Sequence, residues 1–451
     1  MKPRAQNEPQ TGDLFRSRLD QIINPRHELA LLANKIDWET LTTKTGEFFT
    51  DEGRPAIPSR LMLGLHILKS TYQLSDETVC ERWVENPYYQ YFCGETYFQH
   101  RFPIERSSMT HWRKRLDKEV FESLLQESLS IAVEEDALKK NQLKRVVVDT
   151  TVQPKAIAFP TDARLRYKAL CALVALAKQH NIPLRQSYLR VCKRALMMSG
   201  RYRHAKQTKR ARREEKFIQV RLGRVMRDIG RKIPANTDSI APLQQALQKA
   251  DIIFRQQRNS KEKLYSWHAP ETESIGKGKA DKPYEFGCKV SVMTNINPAP
   301  GGHFVLHVQA LHDRPFDGHT LKPIMDDYQQ QASVQPERIY VDKGYRGHDY
   351  QPANRVFKSG QKRGVTGTIK KELRRRPVVE PIIGHLKTDH ALGRNFLKGV
   401  EGDHINALMA GMGYNFRLLL RWLRFLLAWI FARYQAILSV SNISHCYGAA
   451  H

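Results

Sequence analysis

The chain has 451 residues, enough for two or three domains with a sizeable core. Hydrophobic residues make up 41%, which excludes a disordered chain. The 73 Lys and Arg against 46 Asp and Glu leave a formal charge of +27, which points to a polyanionic partner, nucleic acid ahead of a membrane surface.

The N-terminal residues Met1 to Glu8 lack the apolar core of a signal peptide. From Pro58 to Tyr72 the spacing of Leu61, Leu63, Leu65, Ile67 and Leu68 predicts a helix. Ser75 is the expected N-cap of a second helix running to Trp83. Ser107 or Ser108 is the expected cap of a third, Met109 to Leu116, which carries His111, Arg113, Lys114 and Arg115. This basic last member resembles the reading helix of a helix-turn-helix, although the aromatic segment before it is too long for the compact motif. A groove-reading role and a plain helical scaffold both fit the pattern.

The β-branched run Arg145 to Val152 predicts a buried strand with an acid, Asp149, at its end; for this segment taken alone, a strand-terminating Asp that caps a turn is the better reading. From Leu165 to Gln256 the pattern is helical and strongly basic. Between Arg185 and Lys232 stand 17 Lys or Arg and three acids, Glu214, Glu215 and Asp228. Ile218, Leu222, Val225, Met226 and Ile229 keep one apolar face, so the segment is a folded unit with a cationic side. About half of the net charge sits in a tenth of the length, which favours phosphate contact over a merely solvated face. Pro183 and Pro234 punctuate this unit.

Strand patterns return at Phe286 to Thr294, His303 to Leu311, Arg338 to Asp342 and Asn354 to Phe357. The third ends in Asp342, and Gly344 and Gly347 just after it let the backbone turn and leave the carboxylate exposed. In Arg374 to Lys387 a helical turn of about 100° per residue puts Arg376, Glu380 and Lys387 within about 40° on one face. Pro381 starts or kinks that helix. Helices are expected from Asp403 to the end. The apolar stretch Phe425 to Ala432 falls far short of the roughly 20 residues of a membrane span and reads as a buried helix. Leu419, Leu423, Leu426, Leu427 and Ile430 are expected in its core.

Six cysteines (Cys80, Cys93, Cys171, Cys192, Cys288 and Cys446) form no Cys-x-x-Cys pair, as expected of reduced thiols in a cytosolic protein. His303 and His307 share a strand face without a third ligand, so satisfied histidines are expected rather than zinc. Asp313 and Asp317 flank Pro315 in a loop, where Asx-turn capping fits them better than a catalytic role. Trp267 is expected in a core rather than stacked on a base.

Asp149, Asp342 and Glu380 come from separate elements, and three such carboxylates at one sheet edge can hold two divalent cations. In-line phosphoryl transfer needs such cations on both the attacking and the leaving oxygen, and Mg²⁺ prefers carboxylate ligands. Lys and Arg beside them would hold phosphates, Arg bidentately. Spacing alone leaves this trio one choice among 46 acids.

Local motifs narrow the choice. Asp342-Lys-Gly-Tyr-Arg-Gly347, with three residues between Arg376 and Glu380 and six between Glu380 and Lys387, resembles the signature of DDE-class insertion-sequence transposases. Within that class it is similar to the large bacterial insertion-sequence family five. Leu311 to Thr320, Lys277 to Phe286, Gly393 to Gly399, Gly402 to Ala407 and the helix from Thr110 to Leu116 extend the resemblance over most of the chain. Leu373 stands where the family often has Tyr.

The resemblance implies an α/β fold with a ribonuclease-H-like catalytic domain, a mixed sheet with flanking helices, interrupted by the basic helical insertion and preceded by an all-α domain. The boundaries expected are 1–118 for the DNA-binding helices, 119–163 and 259–400 for the catalytic domain, 164–258 for the insertion and 401–451 for C-terminal helices. It assigns Asp149, Asp342 and Glu380 to catalysis and metal binding, with two Mg²⁺, or Mn²⁺ in their place. Arg376 and Lys387 fall on DNA phosphates, and Lys343, Arg346, Arg113 and Arg115 complete the DNA-binding set. The expected activity is cleavage and strand transfer at the terminal inverted repeats of an element. The partners are double-stranded DNA and a second copy of the chain, in the bacterial cytoplasm, with no nucleotide cofactor. A non-catalytic DNA-binding regulator or decayed copy, and a stand-alone metal-dependent nuclease, are the alternative readings.

Overall fold

The computed structural model describes residues 17–50, 52, 56–233, 241–257, 259–276, 283–352 and 355–447, with side chains as far as Ala428. The expectations for Met1 to Glu8, Pro234, Lys277 to Lys282, Asn354, Cys446 and the side chains beyond Ala428 lie outside the described residues. The chain divides into two compact units. One comprises Met1–Gln153, Lys289–Leu397 and Glu401–His451; the other is Pro154–Cys288 with Lys398–Val400.

The first unit opens with eight helices: α1 (Leu19–Ile22), α2 (Glu28–Lys35), α3 (Trp38–Gly46), α4 (Ser59–Tyr72), α5 (Asp76–Glu85), α6 (Pro87–Phe92), α7 (Ser107–Arg113) and α8 (Lys118–Glu134). The Ser75 hydroxyl accepts the Thr78 amide and caps α5, as its spacing predicts. At α7 the expectation is corrected, because Ser107 and Ser108 lie inside the first turn and Arg106 precedes them without a side-chain cap. The aromatic segment between α5 and α7 holds α6, whose Pro87 occupies the first turn, where a missing N–H is harmless.

Strand β1 (Arg145–Pro154) follows. Val146, Val147 and Val148 are fully buried, the continuous apolar run of a strand covered on both faces. The strand runs on past Asp149, so this acid is not at its end as the sequence suggested. Its pairing with β5, however, registers only Arg145 to Val147, which leaves the Asp149 backbone beyond that ladder.

Among the described residues, the α-helices of the second unit are α9 (Asp162–Gln179), α10 (Leu189–His204), α11 (Thr208–Lys232) and α12 (Ala241–Arg255). Leu170 and Leu173 of α9, Cys192 of α10, Ile218, Leu222 and Ile229 of α11 and Leu243 and Ile253 of α12 close one core, with Trp267 packed on it. Strand β2 (Glu273–Gly276) pairs antiparallel with the start of β3 (Tyr284–Asn295).

The rest of β3 belongs to the first unit, with β4 (Val305–Leu311), β5 (Arg338–Val341) and β6 (Val356–Lys358). The strand order there is β4-β3-β1-β5-β6. β3 and β4 are antiparallel; β1, β5 and β6 are mutually parallel. The fold is therefore mixed α/β. Helix α13 (Asp317–Ala332) connects β4 to β5. After β6 come α14 (Gly367–Arg375), a single 3₁₀ turn at Arg376–Val378, and α15 (Val379–Asp389). Pro377 and Pro381, which cannot donate helix-interior amides, sit in the turn and in the first turn of α15. Arg376 and Glu380 therefore belong to two successive pieces rather than to one helix.

Helix α16 (Gly399–Tyr447) closes the chain and begins before Asp403. Its Asn415 donates to the Val305 carbonyl and accepts the Val305 amide at 2.9 Å each, so it satisfies strand β4 where, among the described residues, no further strand pairs. Leu419 and Leu423 are buried, but Leu426 and Leu427 are half-buried and Phe425 is 59% exposed, so the buried face ends near Leu423. The expectation of a buried helix through Phe425 is corrected accordingly. Among the described residues no helix is long and apolar enough to cross a membrane. The five described cysteines are free thiols.

Candidate active site

The carboxylates of Asp149, Asp342 and Glu380 all face one guanidinium. Arg376 Nη2 lies 2.8 Å from Asp149 Oδ2, and Nη1 lies 3.5 Å from Glu380 Oε1 and 3.8 Å from Asp342 Oδ1. Each group arrives by a local cause. Asp149 projects from β1 beyond its parallel ladder with β5, and Asp342 follows the last residue of β5 and precedes a short 3₁₀ turn. Parallel neighbours end on the same side of a sheet, so two acids near their C-terminal ends are brought together. Glu380 is in the first turn of α15, four residues after Arg376.

That turn is seated on the sheet by a small core. Val147 of β1, Tyr340 of β5, Phe357 of β6 and Val379 are buried together, with Ile369, Leu373, Val378 and Ile383 packed against them. Leu373, which departs from the family motif, is thus an apolar contact of this core. Glu372 of α14 adds a polar anchor. Its carboxylate, in a residue 3% exposed, accepts Arg338 Nη2 at 3.3 Å and the Tyr340 hydroxyl, and forms ion pairs with Arg338 Nε at 2.8 Å and Arg145 Nη1 at 3.7 Å. Both strands that carry the acids are therefore tied at their starts to the helix that leads into Arg376.

The three acids differ in exposure. The Asp149 side chain is 19% exposed, Asp342 50% and Glu380 65%. Burial pushes the Asp149 carboxyl up from its ordinary range, and the negative charges of Asp342 and Asp317 push the same way; Arg376 and the Thr150 amide oppose them. The Thr150 amide donates to Asp149 Oδ1 at 2.9 Å.

A fourth carboxylate stands beside the set. Asp317 Oδ1 accepts the Thr150 hydroxyl and Lys289 Nζ, both at 3.0 Å. This corrects the Asx-turn reading of Asp317, since its side chain spans three elements instead of capping its own helix. Gly344 lies close to this carboxylate: a Cβ at that position would sit 3.0 Å from Asp317 Oδ2, so a side chain there would need the Asp317 carboxylate to give by a few tenths of an ångström. Asp317, Thr150 and Lys289 were missed from the sequence, although Asp317 lies in a segment that carried the resemblance.

The residues expected at DNA are placed unequally. Lys343 and Arg346 are exposed beside Asp342, and Lys387 is half-buried in the last turn of α15. Arg376 is buried and faces carboxylates. Arg115 is exposed and lines a cavity with His111, Trp112 and Phe102. Arg113 is 4% exposed and donates to Asp76 Oδ2 at 2.7 Å. Its expected phosphate contact is corrected: the guanidinium joins α7 to α5, and Lys69 of α4 pairs with the same carboxylate. His303 Nδ1 bonds the Asn295 carbonyl at 2.9 Å, and His307 Nε2 bonds Asp327 at 2.9 Å while its buried Nδ1 has no hydrogen-bond partner.

Residues 17–115, which span α1 to α7, match the transposase domain family DUF772. No solved structure matches the chain. A stretch of 201 residues is 54% identical to the uncharacterized protein ORF8 in the nfe locus of Rhizobium meliloti, which covers 44% of this chain and 97% of that protein. The chain belongs to the family of that Rhizobium protein, and its leading helices match a transposase domain.

Proposed function

We propose that the protein is a DDE transposase of the insertion-sequence family five type, which cleaves the ends of a mobile element and joins them to target DNA. The observation that carries this reading is the convergence of Asp149, Asp342 and Glu380 on one cation. The match of residues 17–115 to a transposase domain supports it from outside the site. The strand order β4-β3-β1-β5-β6, with an antiparallel pair joined to a parallel trio, supports a ribonuclease-H-like catalytic domain. In this reading α1 to α7 form the leading DNA-binding domain and α9 to α12 the basic insertion.

The donor set fits hard divalent cations. Three carboxylates supply oxygen ligands, and a guanidinium already stands among them as a stand-in cation. Asp149, Asp342 and Glu380 would hold Mg²⁺ or Mn²⁺, which supplies an activated hydroxyl and stabilises the leaving 3′ oxygen. Lys343 and Arg346, exposed beside Asp342, place positive charge where a scissile phosphate would lie. Lys387 extends that charge along α15. The half-exposed Asp342 and the exposed Glu380 leave the site open to a duplex end, while the less exposed Asp149 would form its floor. Double-stranded DNA is the substrate, a second copy of the chain the partner in holding two ends, and the bacterial cytoplasm the location.

The test uses the purified chain, DNA carrying the flanking inverted repeats, and Mg²⁺. Nicked ends and strand-joined products are expected. Asp342→Asn and Glu380→Gln, both at exposed side chains, are expected to lose at least about 10³-fold in cleavage while keeping DNA binding. Full cleavage by either variant would overturn the assignment. Nicks without joined products would instead favour a stand-alone nuclease.

A further inference from the structure

We infer that Arg376 is the resident counter-ion of the three acids, held among them until a divalent cation takes its place and frees the guanidinium for a DNA phosphate. The inference rests on the reading of these acids as metal ligands and adds a competition that the reading does not require. Arg376 is 7% exposed, yet its short contact is to Asp149 alone, at 2.8 Å; Glu380 and Asp342 stand off at 3.5 and 3.8 Å. Its Nε, also buried, has no hydrogen-bond partner. One guanidinium thus gathers three carboxylates without saturating its own donors.

The charges set the consequence. Three carboxylates and one guanidinium sum to −2, and the adjacent Asp317 and Lys289 neutralise each other. With Arg376 absent, the acids would repel at close range. With a dication present, the same oxygen lone pairs are contested, because Arg376 Nη1 and Nη2 address oxygens of all three acids. Arg376 then loses its partners while still enclosed, and a buried guanidinium without an anion is costly. A phosphate oxygen satisfies it. Metal and DNA phosphate therefore reinforce each other, each favouring the released arrangement.

The test is calorimetric titration of Mn²⁺ into the full-length protein without DNA, with thermal unfolding as a second readout. Arg376→Gln removes the competitor and is expected to bind Mn²⁺ about tenfold more tightly than the parent. Without metal it is expected to unfold at a lower temperature and to regain more on adding Mn²⁺. Arg376→Lys keeps a charge without the two-pronged fork and is expected to fall between them, which covers the case in which the glutamine variant does not fold. Equal or weaker Mn²⁺ binding by the variants would overturn the counter-ion role and leave the metal site standing. Absence of Mn²⁺ binding to the folded parent and to both variants would overturn the metal-site reading itself, and this inference with it.

Discussion

His66 and His390 are neutral for a reason visible atom by atom. His66 is fully buried, its Nδ1 meets the Met62 carbonyl at 2.7 Å, and its other nitrogen has no partner beside Trp112 and Phe121. Burial pushes its pKa down to about 3, and burial likewise pushes His390 down to about 4. An unfolded histidine titrates near 6.5. Between about 6.5 and 4 the unfolded chain therefore takes up protons that the folded chain refuses, so stability falls as pH falls through that window. The slope is up to about 1.4 kcal/mol per pH unit for each histidine. Denaturant unfolding at pH 7 and pH 5 should show the loss, and His390→Gln should shrink the difference; an unchanged difference would refute the assignment. Gly413 gives a second prediction at this scale. A Cβ there would lie 2.4 Å from the Ser70 carbonyl oxygen, where α16 presses on α4. Gly413→Ala is expected to destabilise by about 1–3 kcal/mol despite its better helix propensity. A thermal melt at or above the parent temperature would show that α16 can shift away at little cost.

The α14–α15 segment is the element on which the candidate site depends. Its turn of Arg376–Val378 carries the central guanidinium, and its anchor is Glu372 rather than any acid of the trio. Glu372→Gln would leave Arg338 and Arg145 facing a neutral group at the starts of β5 and β1. Breaking a buried pair in this way is expected to cost about 3 kcal/mol, read from denaturant midpoints. The same variant should weaken cleavage, because the segment that positions Glu380 loses its polar hold on the sheet. Parent-like stability would mean that the apolar contacts of Val379 and Leu373 suffice. Much of this element was legible in the sequence: Pro381 marked a helix start, and the intervals among Arg376, Glu380 and Lys387 put them on one side. What the intervals did not carry was the break at Arg376. A period of 3.6 residues describes a continuous helix, whereas Pro377 and Pro381 divide this one.

For the whole molecule, charge is the dominant property. Helices α10 and α11 bury apolar faces in a shared core and leave Lys193, Arg194, Arg201, Arg212, Arg213 and Arg224 exposed. Glu215 and Asp228, two of the three acids in this stretch, are already paired with neighbouring cations. Neutralising four of these exposed cations with Gln should weaken DNA binding uniformly across sequences. It should also flatten the plot of log affinity against log salt by about 0.9 for each phosphate that the protein no longer neutralises. An unchanged salt slope would remove the basic unit from the DNA interface. Composition and pattern alone determined the basic character, the leading helices and the strands, because charge and side-chain period are carried by neighbouring residues; the choice of Asp149, Asp342 and Glu380 among the acids rested on local motifs that resemble a known family. Only the tertiary structure decided that Arg113 is a buried partner of Asp76, that Asp317 joins Thr150 and Lys289, and that Arg376 faces carboxylates. Those roles are set by residues 37, 167, 28 and 227 positions away. No local propensity or spacing reaches that far, and the burial that encloses the Arg113 and Arg376 guanidiniums exists only once the chain has packed.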